Sequence, residues 1–216
     1  MSELKNIRLK VCGLRDNINE VTALKPDFVG FIFYKESSRY VGDALDQNLL
    51  HAISPDIMKV GVFVNENVEN ILEVSGKYKL DYVQLHGDEK YEDCLQLSAN
   101  GLGVIKVFPG NKEINREQLL KFSDVIDYYL FDTRAIGYGG SGETFNWDTL
   151  RGLDLPRPVI LSGGLNLENI QELEGRDDLN IFAIDINSQF EKTPGLKDIT
   201  LLQQLKHKMR PDYVSN

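Results

Sequence analysis

Basic residues, histidines and cysteines are all in short supply in this chain. Its 216 residues carry 24 lysines and arginines against 33 aspartates and glutamates, a formal net charge of −9. No segment gathers enough basic side chains to follow a phosphate backbone, so nucleic acid is not an expected partner. The histidines, His51, His86 and His207, lack the spacing of helical or finger ligands, and no metal is expected. Two cysteines, Cys12 and Cys94, make no CxxC pair, and the N-terminus does not read as a signal. A reduced, cytoplasmic setting is the corresponding expectation. No apolar run approaches the ~18 residues of a membrane span, so a soluble protein without a membrane partner is expected.

Glycine, by contrast, is placed pointedly. The stretch Tyr138-Gly139-Gly140-Ser141-Gly142 stands a few residues after the strand-like Tyr128–Asp132, and Gly163-Gly164 follows the next strand-like run, Pro158–Ser162. Either group alone reads as a tight turn. Repeated at the same point of two successive units, they leave backbone N–H groups uncovered at neighbouring places, which suits a dianionic phosphate. A phosphate site after the late strands is a habit of (β/α)₈ barrels. In so acidic a chain it must be built from local dipoles and a few basic groups.

The whole chain alternates β-branched runs with helical patterns. The expected strands are Arg8–Cys12, Phe28–Phe33, Lys59–Val64, Tyr82–His86, Val104–Phe108, Tyr128–Asp132, Pro158–Ser162 and Phe182–Asn187. Between them Asn17–Leu24, Ala44–Ile53, Val68–Tyr78, Glu89–Ser98, Arg116–Phe122, Trp147–Leu153, Leu167–Leu173 and Asp198–Lys208 carry apolar residues at helical spacing. Caps are expected at Asn166 and at Asp198. Eight such units predict an α/β fold, a closed parallel (β/α)₈ TIM barrel in a single domain over residues 1–216. Strand parity then places Arg8, Lys10 and Cys12 on one side of the first strand, with Cys12 pointing inward at the mouth. The same parity pairs Gln84 with His86, Lys106 with Phe108, and Leu130 with Asp132. The first and last strands are neighbours in a closed barrel, so Lys10 is expected beside Asp185, which neutralises it.

Cys12 and Asp132 both close strands on the catalytic face. Each has an ordinary reading, as a small buried apolar residue and as a turn carboxylate. Taken together they read as an acid–base pair facing one ligand. Arg39, in the loop after the second strand, is either a solvated charge or a fork for a substrate carboxylate. His86 is either a mouth residue or a hydrogen-bonded structural histidine.

Lys10-Val11-Cys12-Gly13-Leu14, Gly30–Tyr34 with Ser38–Val41, Gly61–Asn65, Val83–Gly87, Phe131-Asp132, Gly139–Gly142 with Phe145–Trp147, Leu161–Leu165, and Asp185–Ser188 with Glu191, Pro194-Gly195 and Lys197-Asp198 occur in the order seen in one enzyme family. Together they resemble phosphoribosylanthranilate isomerase, from end to end of the chain. The resemblance implies an Amadori rearrangement of N-(5′-phosphoribosyl)anthranilate in tryptophan biosynthesis, a small phosphorylated substrate, and neither cofactor nor metal. It makes Asp132 the general acid for ring opening and Cys12 the general base for the C2′ proton. Arg39 is assigned to the anthranilate carboxylate, with Asp185 and His86 also binding substrate. Gly140, Ser141, Gly142, Gly163, Gly164, Asn187 and Ser188 are assigned to the phosphate.

Two pKa shifts are then required. Burial should raise Asp132, and nearby positive charge should lower Cys12 from about 8.5. The chain departs from the family pattern in three places: Glu143 after the glycines, Gln189 after Asn187-Ser188, and the pair Lys35-Glu36 before Arg39. The rival readings are another sugar-phosphate barrel enzyme and a non-catalytic phosphate sensor, the latter needing neither Cys12 nor Asp132. Both a monomer and a homodimer fit the sequence.

Overall fold

In a computed structural model of the chain, the β-branched runs pair in sequential order into a closed barrel of eight parallel strands, β1 to β8. The structure describes residues 3–42, 45–110, 112–133 and 144–210. The strands are β1 Arg8–Val11, β2 Phe28–Ile32, β3 Met58–Phe63, β4 Tyr82–Leu85, β5 Gly103–Pro109, β6 Tyr128–Asp132, β7 Val159–Leu161 and β8 Ile181–Ile186. Their ends lie within one residue of the sequence expectation. The helices are α1 Ile18–Ala23, α2 Gln47–His51, α3 Val68–Tyr78, α4 Tyr91–Ala99, α5 Arg116–Leu120 and α6 Ile199–Met209. Polar caps begin several of them: Asn67 accepts from the Asn70 N–H at 2.8 Å, and Asp198 accepts from the Thr200 and Leu201 N–H groups.

The helices expected over Trp147–Leu153 and Leu167–Leu173 are only short 3₁₀ turns, Trp147–Leu150 and Asn169–Leu173. Their α-helical continuation is stopped locally. Gly152 and Asp154 take positive φ of 68° and 42° after the first turn, and Gly175 takes 76° after the second. A short antiparallel hairpin, β9 Glu191–Thr193 with β10 Leu196–Lys197, follows β8 and was not expected from the sequence.

Inside the barrel, Phe28, Tyr82, Tyr128 and Phe182, one from each even-numbered strand, contact one another at the N-terminal end, with ring centroids 4.9–6.4 Å apart. Val60, Ile105, Val107, Leu130, Ile160 and Ala183 complete this inner core. Alternate residues such as Val11, Phe31, Phe63, Leu85, Phe131 and Ile184 belong to the second core, between barrel and helices.

Parity also fixes the polar positions. Lys10 and Asp185 are register partners across the β1–β8 seam, and Lys10 Nζ donates to Asp185 Oδ2 at 2.8 Å, as expected. Lys106 and Phe108 share a side, and it is the outer one. Phe108 packs on Phe122 and Tyr129, while Lys106 Nζ donates to Glu89 and to the Gly87 carbonyl. Glu89 in turn accepts the Asn65 and Gly87 N–H groups, so a buried ion pair fixes the loop that follows His86.

Candidate active site

The C-terminal ends of the strands surround one open hollow. It is lined by Cys12, Arg39, His86, Asp132, Gly163, Gly164, Asp185, Asn187 and Ser188, so the sequence candidates that fall on described residues meet in one place. Gly140, Ser141 and Gly142, the remaining phosphate candidates, lie outside the described residues, as does Glu143.

Cys12 is the residue after β1, 4% exposed, with its N–H donating to the Ile186 carbonyl at 2.9 Å. Gly30 on β2 makes room for its side chain. A Cβ built at Gly30 would stand 2.8 Å from Cys12 Sγ. The expected lowering of the Cys12 pKa is overturned. Burial pushes the thiol up, and the opposing charges of Lys10 and Lys197 do not compensate. Cys12 therefore rests as a thiol.

Asp132 ends β6 and meets the expectation made for it. Burial first, and then the negative charge of Asp185, push its pKa up to about 7. The Thr133 N–H, the Lys10 ammonium and the Ser162 hydroxyl act in the other direction and fall short. His86 Nε2 lies 3.4 Å from Asp132 Oδ2, and His86 Nδ1 lies 3.4 Å from Gln84 Nε2, so the histidine spans the acid and an inward-facing amide.

Arg39 is not a solvated loop charge. Its side chain is 14% exposed, and Nε and Nη2 donate to both carboxylate oxygens of Glu191 at 2.7–3.0 Å. Nη1 makes none of these bonds. Asp185 gives one oxygen to Lys10, and its other oxygen, Oδ1, is buried without a hydrogen-bond partner among the described residues. Asn187 Oδ1 accepts from Lys197 Nζ at 2.7 Å.

Gly163 and Gly164 both take positive φ, 88° and 62°. Consecutive residues of this kind turn N–H groups toward one concavity. A Cβ at Gly163 would lie 2.6 Å from the Thr133 nitrogen and 2.9 Å from Asp132 Oδ1. Asn169 Nδ2 donates to the Gly164 carbonyl at 3.0 Å while its Oδ1 accepts the Asn166 N–H, which fixes the turn from below.

Sequence reasoning assigned no role to Gln84, Ser162, Glu191 or Lys197. Parity with His86 already pointed to Gln84, and Ser162 directly precedes the glycine pair. No spacing linked Glu191 to Arg39, 152 residues away.

A buried carboxyl poised near neutrality and a buried thiol face one hollow at the mouth of a (β/α)₈ barrel, the place and the groups of a barrel enzyme able to do acid–base chemistry on a bound molecule. The family model described as N-(5′-phosphoribosyl)anthranilate (PRA) isomerase matches residues 9–208, and the chain belongs to this family. N-(5′-phosphoribosyl)anthranilate isomerase of Parabacteroides distasonis is 43% identical over 206 residues, which cover 92% of this chain and 93% of the relative. Among solved structures, phosphoribosyl anthranilate isomerase from Thermotoga maritima has a TM-score of 0.82 at 34% identity, covering 95% of this chain and 99% of that one. A phosphoribosyl anthranilate isomerase in complex with reduced 1-(o-carboxyphenylamino)-1-deoxyribulose 5-phosphate has a TM-score of 0.79 at 31% identity, with the same coverage.

Proposed function

We propose that this chain converts N-(5′-phosphoribosyl)anthranilate to 1-(2-carboxyphenylamino)-1-deoxyribulose 5-phosphate in tryptophan biosynthesis, with Asp132 as acid and Cys12 as base. The observation that carries the assignment of roles is the enclosure of both groups in one cavity, with the Asp132 carboxyl at about 7 and so able to hold a proton at neutral pH. The reaction balances within the substrate, since C1′ is reduced as C2′ is oxidised and no external oxidant is consumed.

Asp132 gives its proton to the furanose ring oxygen. The nitrogen lone pair expels that oxygen, the C1′–O4′ bond breaks, and a cationic Schiff base forms. The Cys12 thiolate then takes the C2′ proton. The C2′–H electron pair forms the C1′–C2′ double bond, the C=N electrons return to nitrogen, and the resulting enolamine tautomerises to the ketone. The resting thiol reaches its reactive form by giving its proton to solvent, an ionisation that positive charge nearby favours. The cation at C1′ joins Lys10 and Lys197, which already oppose the effect of burial on Cys12.

Arg39 receives the anthranilate carboxylate. Gly163, Gly164, Asn187 and Ser188 receive the phosphate, together with Gly140, Ser141 and Gly142. Asp185, with an unused buried oxygen, and His86 bind the sugar between these ends. The relative complexed with a carboxyphenylamino-deoxyribulose phosphate supports a ligand with a carboxylate at one end and a phosphate at the other.

The working unit we envisage is a single domain over residues 1–216, cytoplasmic, as a monomer or homodimer. Among the described residues no helix is long and apolar enough to cross a membrane. The assay is loss of anthranilate fluorescence as substrate is consumed. Cys12→Ala and Asp132→Asn should each lower kcat at least ~10²-fold, the scale of a lost proton-transfer group, with near-UV circular dichroism unchanged. Turnover within tenfold of wild type in either variant would move that role to another side chain.

A further inference from the structure

Glu191 opens the β9–β10 hairpin, outside both catalytic groups, yet its side chain is only 4% exposed. Five donations converge on this one carboxylate. Arg39 supplies three through Nε and Nη2, Lys197 Nζ supplies one at 2.8 Å, and the Gly195 N–H supplies one at 3.2 Å. Burial pushes the Glu191 carboxyl up, but the donors outweigh it and hold it below the usual range, so it is charged.

Lys197 carries the connection onward. Fully buried, it donates from Nζ to Glu191, to Asn187 Oδ1 at 2.7 Å and to the Asn187 carbonyl at 3.3 Å. Gly13 leaves the room that Asn187 takes up, since a Cβ there would stand only 2.6 Å from Asn187 Oδ1. The carboxylate end and the phosphate end of the hollow are thus joined through one buried anion. Without it, two cations would face each other, and Arg39 and Lys197 would have no common partner.

We propose that Glu191 is a positioning residue that sets Arg39 for the substrate carboxylate and, through Lys197, Asn187 for the phosphate, so that one side chain prepares both anionic ends. This inference rests on the assignment of Arg39 and Asn187 made above. Preorganisation of this kind acts on binding more than on the proton transfers themselves, because neither Cys12 nor Asp132 is held by Glu191.

The test uses the full-length protein with Glu191→Gln, which keeps the shape and removes the charge, and Glu191→Asp, which keeps the charge and shortens the reach. Steady-state KM and kcat are measured alongside inhibition by inorganic phosphate and by anthranilate. Glu191→Gln should raise KM at least ~10-fold and weaken both inhibitors at least ~5-fold, with kcat within ~3-fold of wild type. Glu191→Asp should recover part of both inhibitor affinities, which a purely structural role would not produce.

If Glu191→Gln leaves KM and both inhibition constants within twofold, the inference is wrong. If anthranilate alone weakens, Glu191 serves only Arg39, and the joint role is overturned. Should Glu191→Gln fold poorly, the inhibition constants of Glu191→Asp decide, and no change in either rejects the proposal. Arg39→Ala separates the underlying assignment: anthranilate inhibition unchanged in that variant overturns the Arg39 reading itself, and this inference with it.

Discussion

A buried carboxyl costs stability at every pH that ionises it, and Asp132 is placed where that cost is large. Its pKa moves from an ordinary 3.8 to about 7 on folding. A group raised in this way contributes its stability in full below the unfolded pKa and loses it as pH rises through the folded one. The ceiling of the penalty at pH 8 is roughly 4 kcal/mol, since each tenfold change in acidity is worth ~1.4 kcal/mol. Asp132→Asn should therefore melt above wild type at pH 8, and the gap should close toward pH 4. Thermal melts at pH 4, 6 and 8 test this, and equal melting temperatures at pH 8 would show that the carboxyl ionises without strain. The same carboxyl shapes the pH–rate profile. Cys12 titrates above Asp132, so the reactive pair of protonated acid and thiolate is a constant small fraction between the two pKa values. kcat/KM should climb up to about pH 7, run flat, and fall only once the pH exceeds the raised pKa of Cys12.

At the scale of elements, the strands were readable and much of what covers their ends was not. Runs such as Met58–Phe63 and Tyr128–Asp132 declare themselves by β-branched and aromatic content, and parity alone carried Cys12 to the mouth and Lys10 to Asp185. The units after β6 and β7 keep helical apolar spacing, but Gly152, Asp154 and Gly175 end them in a turn, because local backbone geometry overrides periodicity in so short a segment. The β9–β10 strands, of three and two residues, are too short for any pattern to show, although Pro194-Gly195 marks the turn between them. The direction in which the Cys12 pKa moves is not legible in the sequence, which displays Lys10 nearby and does not display the depth of burial. Gly30 tests the element-level argument. Gly30→Ala places a Cβ 2.8 Å from Cys12 Sγ and should displace the thiol, lowering kcat by up to ~10²-fold, the cost of misplacing a reacting group by about an ångström. Gly76 on α3 is the control, since a Cβ there meets nothing within 4 Å. Gly76→Ala should leave kcat alone and stabilise the fold by ~0.5–1 kcal/mol. Equal kcat in both variants would remove the claim that β2 sets the position of the base.

For the whole molecule, the decisive place is the seam where the last strand meets the first. Four register pairs join β1 to β8, from Arg8 opposite Ala183 to Val11 opposite Ile186, and in their midst Lys10 and Asp185 form an ion pair with side chains 0% and 4% exposed. Such a pair adds little net stability over an apolar pair, but removing one partner leaves a buried charge alone. Lys10 is held charged: burial lowers its pKa, and Asp185 together with Cys12, by charge and by hydrogen bonds, more than restores it. Lys10→Met should therefore destabilise the protein by ~3–5 kcal/mol, while Lys10→Met combined with Asp185→Leu should recover most of the loss in urea unfolding at pH 7. The double variant should be inactive for want of Asp185, which separates folding from catalysis. The penalty in Lys10→Met alone should shrink as the pH falls, from above the ordinary carboxylate range, because burial raises the Asp185 pKa, the loss of Lys10 removes its main opposing charge, and protonation discharges the unpaired group. A double variant as unstable as Lys10→Met, with no relief at low pH, would mean that the loss comes from the packing of the lysine stem, and that the backbone ladder alone closes the barrel.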